Sequence, residues 1–329
     1  MSGRRTITGS AALRPRGSGR RGAVAVLATA TLALAGCAGQ YSGGGEGPLK
    51  GAEIAFGSKD FTEQKVLGQI AVQYLRSQGA DVWDQTGLVS SQAVRDSLTR
   101  GDIDAYWEYT GTAWITYFGH DKPIVDPEKQ FDAVAKEDRE DNQIAWIDKA
   151  PLNNTYAFAI KRSKAEELGI DSLAQVKDLI ASSKGKDLTF CVESEFANRP
   201  DGMPGVQRTY GFKAPANRIL RLDTGLIYSQ TANGTCTFGE VFETDGRIKG
   251  LDLQLLKDPE KFFPPYNAAI SIREDVLEKH PQIEEIMKPI AAKLTTEQMQ
   301  TLNSRVDIDG VLPDKVAREW LRDEGFVED

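Results

Sequence analysis

The sequence predicts an α/β protein of two lobes, each built on a mostly parallel sheet flanked by helices. Short apolar strands alternate with helices of 3.6-residue periodicity over roughly 210 residues. This is more than a single sheet with its flanking helices usually contains. Two segments that contain proline and asparagine, 148–155 and 262–269, interrupt this alternation. Because the chain crosses twice, we expect the second lobe to be inserted in the first, with a ligand cleft between them.

The first lobe is predicted to begin with a short apolar strand, AEIAF, and an amphipathic helix at 62–79. Apolar residues recur in that helix at helical spacing, and Gly79 ends it. A strand at 81–88, a helix at 90–101 and a strand at 103–109 follow. This last strand runs into the sequence EYTGT, which brings a phenol and two hydroxyls together in a turn.

The second lobe and the C-terminal tail continue the alternation. Strands are predicted at 155–160, 186–192, 217–222, 236–242 and 250–256. Helices are predicted near 203–210 and 225–232, and in the tail at 273–279, 281–293, 295–303 and 313–323. We therefore assign residues 51–152 and 266–329 to the first lobe and residues 153–265 to the second.

Residues 1–36 have the composition of a lipoprotein signal peptide. Six arginines and no acid accompany the apolar run AVAVLATATLALAG, which is too short to span a bilayer stably. The sequence LAGC matches the bacterial lipobox, so we expect Cys37 to be lipidated and residues 37–50 to form a flexible tether. The protein would then be extracytoplasmic and lipid-anchored to the cell membrane. An uncleaved anchor is the alternative, and the Sec and twin-arginine export routes both stay open.

Charge and composition exclude several classes of protein. A net charge of −8 argues against nucleic-acid binding. Two histidines and three cysteines argue against a metal site, and no cofactor is expected. Outside the cytoplasm, Cys191 and Cys236 can form a disulfide because both lie in strand-like runs; two separate buried thiols are the alternative.

The sequence lacks the motifs of common enzyme classes, such as G-x-S-x-G, H-E-x-x-H or a P-loop. Asp102, Asp104 and Glu108 form a candidate carboxylate set for glycoside hydrolysis. However, acids at strand edges and beside helix starts are usually solvated or cap a helix. We therefore expect a binding protein and not an enzyme.

Four tyrosines lie at strand ends or lobe crossings, where α/β proteins place ligand contacts. They are Tyr109, Tyr156, Tyr228 and Tyr266. The face of a tyrosine ring attracts a cation that makes few hydrogen bonds, which describes a quaternary ammonium. For any one tyrosine, an ordinary core position with a satisfied hydroxyl is the alternative.

Six short motifs stand in the order found in one protein family. They are GSKDFTEQ (57–64), EYTGT (108–112), LNNTYA (152–157), FANRPDGMPG (196–205), TDGRI (244–248) and FFPPYNAA (262–269). From Ala52 onward the chain resembles the substrate-binding lipoproteins of osmoprotectant ABC importers, which bind glycine betaine, choline, carnitine and related quaternary amines. The resemblance implies a type II periplasmic-binding-protein fold with the ligand between its lobes.

The resemblance also implies roles for individual residues. The cage around the trimethylammonium group would consist of Tyr109, Tyr156, Tyr228 and Tyr266. The carboxylate end of the ligand would contact Lys59, Thr112 and Arg199. Relatives often carry an aromatic residue before TTDG, and this chain reads VFETDG, so Phe242 would add a ring without a hydroxyl.

These inferences predict a monomeric binding protein that captures glycine betaine and delivers it to an ABC importer permease with its ATPase. A choline-preferring protein of the same importer class is the first alternative. Choline has no carboxylate, so Lys59 and Arg199 would then lack a ligand partner. A surface sensor or adhesin is the second alternative, since it would share the tether without requiring a cage.

Overall fold

Two five-stranded sheets organise residues 46–328, the part of the chain that the computed structural model describes. The first sheet contains β1 (Glu53–Lys59), β2 (Asp81–Leu88), β3 (Ala105–Tyr109), β4 (Ile144–Ile147) and β10 (Ala268–Arg273). The second contains β5 (Tyr156–Lys161), β6 (Phe190–Val192), β7 (Ile219–Arg221), β8 (Phe238–Phe242) and β9 (Leu253–Leu255). The strand orders are β2-β1-β3-β10-β4 and β7-β6-β8-β5-β9, and we call the parts around them the first and second lobe.

One strand in each sheet is antiparallel to the others. In the first sheet, β1 is parallel to β2 and β3, whereas β10 lies antiparallel between β3 and β4. In the second, β6 is parallel to β7 and β8, whereas β5 lies antiparallel between β8 and β9. The reversed strands β5 and β10 are the first that the chain forms after each crossing. The predicted α/β class with two mostly parallel sheets is confirmed, while the lobe boundaries at 152/153 and 265/266 stay predictions.

Helices of very different length connect the strands. They are α1 (Thr62–Ser77), α2 (Ser91–Arg100), α3 (Thr110–Thr112), α4 (Pro127–Asn142), α5 (Arg162–Leu168), α6 (Val176–Ala181), α7 (Met203–Thr209), α8 (Thr224–Ala232), α9 (Arg247–Gly250), α10 (Glu274–Lys279), α11 (Gln282–Lys293), α12 (Thr296–Asp307) and α13 (Pro313–Asp323). The helices of the tail agree with the predicted ranges within a few residues, because their apolar residues recur at helical spacing.

Helix α4 and strand β4 were not among the predicted elements. The side chain of Asp126 caps α4 by accepting hydrogen bonds from the backbone N–H groups of Glu128 and Lys129. The buried residues of α4 are Gln130, Val134 and Asp138. Their i, i+4, i+8 spacing is helical, but two of the three are polar, so the helix has no apolar stripe for sequence analysis to detect.

Each lobe has its own hydrophobic core, and the segments that cross between the lobes touch both. In the first lobe, α1, α11, α12 and α13 contribute to one core with the first sheet. In the second lobe, Phe158, Phe190 and Phe238 lie in another. Tyr156 and Phe263, beside the two crossings, pack against both cores. The crossings are therefore anchored in apolar packing on both sides.

Cys191 on β6 and Cys236, two residues before β8, form a disulfide in the second lobe, with their Cα atoms 5.7 Å apart. Within residues 46–328, no helix combines the length and the apolar character needed to cross a membrane. The signal peptide, Cys37 and most of the tether lie outside the described residues.

Candidate functional site

A cavity of about 510 Å³ lies between the two lobes. Most of the segments that line it come at or directly after the carboxyl end of a strand: 59–63 at β1, 112 after β3, 193–195 after β6, 223–225 after β7 and 242–247 at β8. Loops at the carboxyl ends of strands are the usual ligand-binding edge of α/β sheets. The remaining contributions include Asn303 and Asp307 from α12. We refer to this cavity as the cleft.

Five aromatic side chains line the cleft, and we call them the aromatic wall: Phe61, Tyr109, Tyr156, Phe242 and Tyr266. The ring centroid of Tyr156 lies 5.0 Å from that of Phe242 and 5.1 Å from that of Tyr266. Phe61 stacks on Phe242 at 5.4 Å and on Tyr109 at 6.3 Å. The five rings therefore form one continuous surface that includes residues of both lobes.

Local structure explains why these rings meet. Tyr109 is the last residue of β3, and Tyr156 at the start of β5 is in register with Phe242 at the end of β8. Gly111, in the EYTGT motif, lies against Tyr266; a Cβ atom there would come within 2.7 Å of the Tyr266 ring. The glycine is therefore needed for the ring to reach the cleft.

The structure does not bring Tyr228 into the cleft, which corrects the sequence-based assignment of Tyr228 to the cage. Its side chain is fully buried in the second lobe among apolar residues that include Ala157 and Val241. Its hydroxyl accepts a hydrogen bond from the backbone N–H of Phe242 at 3.0 Å. Tyr228 therefore supports the strand end that carries Phe242, and Phe61 takes the fifth place in the wall.

All three residues predicted for the carboxylate end line the cleft, but both cations among them already have acidic partners. Lys59 Nζ lies 2.6 Å from Glu108 Oε1. Arg199 makes two hydrogen bonds to Asp201, at 2.8 and 2.6 Å. Thr112 Oγ1 lies 3.4 Å from Arg199 Nη2 and accepts its hydrogen bond. These cations also lie over the wall, since Lys59 Nζ is 5.1 Å from the Tyr109 centroid.

Carboxylates outnumber cations in the lining of the cleft. Among the described residues, seven acids and three basic side chains line it. The third basic residue, Arg247, is paired with Asp245 and lies 3.3 Å from Asp307. Burial raises the pKa of Asp60, and the nearby carboxylates of Glu195 and Asp223 raise it further against the opposing charge of Lys65. The cleft is therefore an environment that favours a cation.

Glu63 is the most buried acid of the lining. Burial raises its pKa, while hydrogen bonds from Thr244, Tyr109 and Asn303 act in the opposite direction. The hydroxyl of Tyr109 donates to Glu63 Oε1 at 2.7 Å. Within residues 46–328, Glu63 has no basic side chain within ion-pair distance. A buried carboxylate without a cation is costly, so this position also favours a cationic ligand.

Sequence reasoning missed many residues of the site, among them Phe61, Glu63 and Asn303. Phe61 and Glu63 lie inside the GSKDFTEQ motif, two and four residues after Lys59. Because Lys59 was predicted to contact the ligand, this closeness in sequence could have identified them as site residues. Asn303 comes from α12, and its place in the cleft depends on how that helix packs against α1. No local pattern in the sequence indicates this contact.

Comparisons with known proteins agree on one family. Residues 52–323 match the family model described as the substrate-binding domain of ABC-type glycine betaine transport systems. The glycine-betaine-binding protein of Pseudomonas aeruginosa PAO1 is 38% identical over 304 residues, covering 91% of this chain and 95% of that protein.

Solved structures of other proteins are also similar to this chain in fold and sequence. Apo YehZ from Escherichia coli has 30% identity and a TM-score of 0.61, covering 84% of this chain and 99% of its own. A glycine betaine/carnitine/choline ABC transporter structure has 25% identity and a TM-score of 0.67, covering 83% of this chain and 99% of its own. The expected two-lobed, type II periplasmic-binding-protein-like fold is thereby confirmed.

Proposed function

Because this chain belongs to the family of substrate-binding domains of ABC-type glycine betaine transport systems, we propose that it captures a quaternary-ammonium osmolyte in the cleft and delivers it to an importer permease with its ATPase. The observation that carries the proposal is the aromatic wall beside an excess of carboxylates. A quaternary ammonium has charge but no hydrogen-bond donor, so ring faces and nearby carboxylates are the groups that hold it. Glycine betaine, which the Pseudomonas relative is named for binding, is the first ligand to consider.

The energies of these contacts are sufficient for capture. A desolvated cation–π contact contributes about 2 kcal/mol, so two or three contribute about 4–6 kcal/mol. A hydrogen bond from Arg199, Lys59 or Thr112 to the carboxylate would add roughly 1.5–3 kcal/mol. Together they approach the approximately 8 kcal/mol of micromolar binding before the cost of immobilising the ligand.

A choline-like ligand is the second candidate, and the ion pairs favour it. Glu108 and Asp201 already neutralise Lys59 and Arg199. A ligand without a carboxylate would therefore leave no unpaired cation in the closed cleft, contrary to what the sequence alone suggested.

The location of the protein completes the proposal. Lipidation of Cys37 would hold the protein at the outer face of the cell membrane, with residues 37–50 as a tether that lets it reach the permease. Working as a monomer, it would present the closed, ligand-bound lobes to the permease.

The test is calorimetric titration with glycine betaine and with choline, on the wild type and on Phe242→Leu. This change removes a ring face but keeps apolar volume, so affinity should fall about tenfold for either ligand. Phe212→Leu is the matched control, since Phe212 is a buried ring of the second lobe that stacks on Phe190 away from the cleft. Equal effects of the two changes, or no binding of either ligand to the wild type, would contradict the proposal.

A further inference from the structure

Helix α12 of the first lobe packs against the second lobe along one edge of the cleft. Segment 243–247 of the second lobe, which overlaps the TDGRI motif, runs along this helix. It lies against Gln300, Asn303, Ser304 and Asp307, which we call the α12 face. Their i, i+3, i+4, i+7 spacing puts all four residues on the same side of the helix.

Polar contacts fix the distance between the two elements on either side of Gly246. Gln300 Nε2 donates a hydrogen bond to the backbone oxygen of Glu243 at 2.9 Å, and Arg247 Nη2 lies 3.3 Å from Asp307 Oδ2. Gly246 lies between these two contacts in the sequence, so it also has to approach the α12 face closely.

There is no room for a side chain at Gly246. A Cβ atom there would lie 1.6 Å from Ser304 Oγ, 2.9 Å from Ser304 Cβ and 3.0 Å from the backbone oxygen of Gln300. Two non-bonded carbon atoms are in favourable contact only at about 3.5–4.0 Å. The hydroxyl of Ser304 is also held in place, because it donates to the backbone oxygen of Gln300 at 2.8 Å.

The backbone conformation of Gly246 does not require glycine. Its φ of −65° and ψ of −20° lie in the right-handed helical region, which L-residues adopt without strain. The three atoms nearest to a Cβ atom at this position all belong to α12. The requirement for glycine therefore comes from the first lobe, across the interface, and not from the fold of the second lobe.

We propose that Gly246 is a positioning residue that sets how closely the two lobes approach, with its contact to Ser304 as the steric limit of closure. Gly246 does not line the cleft, so it acts through the lobes and not on the ligand. A side chain here would hold the lobes apart and lower the population of the closed state, whatever the ligand. The inference goes beyond the proposed function because it concerns the geometry of closure, and only its affinity test rests on that function.

The test replaces Gly246 by alanine and by leucine. In calorimetry, Gly246→Ala should weaken glycine betaine and choline by the same factor, about tenfold, because an overpacked contact opposes closure. Gly246→Leu should weaken both ligands further. Small-angle scattering, without ligand and with saturating choline, should give a radius of gyration that rises from the wild type to Gly246→Ala and then to Gly246→Leu.

Ser304→Gly provides a rescue on the other lobe. It removes the two atoms nearest to the new Cβ atom, so Gly246→Ala combined with Ser304→Gly should regain most of the wild-type affinity and radius of gyration. A defect confined to the second lobe, such as a weaker start of α9, would not respond to a change on α12.

Gly250→Ala is the matched control. Gly250 lies in the same short helix, α9, and also faces the first lobe. Among residues 46–328, a Cβ atom there would meet only Cδ1 of Ile308, at 3.3 Å. Because the end of this exposed side chain can move aside, affinity and scattering should stay close to those of the wild type.

The outcomes distinguish this inference from the proposed function. Wild-type affinity and scattering in Gly246→Ala, or a loss that Ser304→Gly does not rescue, overturns the role of Gly246 and leaves the proposed function intact. A loss of affinity for one ligand alone has the same meaning, since a limit on closure acts on every ligand. If no quaternary amine binds the wild type, the proposed function is overturned, and the three radii of gyration without ligand still decide the role of Gly246.

Discussion

At the residue scale, Arg199 shows how a predicted ligand contact can also be a structural group. Its side chain is only 7% exposed, and its guanidinium donates to both oxygens of Asp201. The hydroxyl of Tyr266 donates to Asp201 Oδ2 at 2.6 Å. Burial raises the pKa of Asp201, but the charge of Arg199 and these hydrogen bonds outweigh it and hold the pKa below its usual value. Arg199 therefore fixes the carboxylate that positions Tyr266 in the aromatic wall.

We expect Arg199→Ala to destabilise the protein by about 3–5 kcal/mol, because it leaves Asp201 buried without a cation. Asp201→Asn in the same chain should recover part of this loss. Urea unfolding measures both, and Arg218→Ala is the control, since the pair of Arg218 with Asp187 is largely exposed and should contribute less than about 1 kcal/mol. Unchanged stability in Arg199→Ala, combined with a selective loss of glycine betaine binding, would show that Arg199 serves the ligand only.

The positions of the tyrosines show what sequence analysis can predict about a site. Tyr109, Tyr156 and Phe242 are terminal residues of strands, and strand ends mark the ligand edge of the sheet without further information. Tyr228 lies in the middle of α8, where the rotation of the helix decides which way the ring points. That rotation depends on packing against the second sheet, which the apolar pattern of α8 does not specify, so its position could not be predicted.

At the element scale, Glu240 extends the pairing of β8 with β6. It is a central residue of β8, and its Oε2 accepts a hydrogen bond from the backbone N–H of Glu193 at 2.9 Å, just after β6 ends. Burial raises its pKa to about 8, the charges of Glu193 and Glu195 add to the rise, and Arg199 opposes it. The strand junction behind the cleft therefore contains a carboxyl group that is protonated at neutral pH.

This pKa predicts that stability falls as the pH rises from about 4.3 to about 8. In this window the folded protein retains a proton on Glu240 that the unfolded chain has released, so unfolding is favoured by up to about 1.4 kcal/mol per pH unit from this group. Glu240→Gln should remove this contribution, because the amide is neutral and its oxygen can still accept from Glu193.

Urea unfolding at about pH 5.5 and 7.5 compares the wild type with Glu240→Gln and with the exposed control Glu53→Gln. The difference between the two pH values should be smaller in Glu240→Gln than in the other two proteins. The same pH dependence in all three proteins would show that Glu240 ionises normally in the folded state.

At the scale of the whole molecule, several direct contacts join the lobes around the cleft. The backbone N–H of Ser91 donates to Glu195 Oε1 at 2.8 Å, and Phe61 stacks on Phe242. Arg247 connects Asp245 of the second lobe to Asp307 of α12, and its guanidinium lies 4.1 Å from the ring centroid of Tyr228. Such polar and aromatic contacts are weak enough to break and re-form as the lobes open and close, as a hinge-closing binding protein requires.

Arg247 is the contact whose loss should shift this equilibrium most clearly. Arg247→Gln removes the charge that links Asp245 to Asp307, and an ion pair of about 1 kcal/mol changes the ratio of closed to open molecules about fivefold. Because the closed state is the one that binds, affinity should fall by a similar factor for every ligand, whether or not it carries a carboxylate or a hydroxyl. Arg162→Gln is the matched control, since Arg162 pairs with Asp252 within the second lobe at an exposed site. Small-angle scattering should show a larger radius of gyration for ligand-free Arg247→Gln than for the control. A ligand-selective loss of affinity with no change in scattering would mean that Arg247 contacts the ligand directly and does not hold the lobes together.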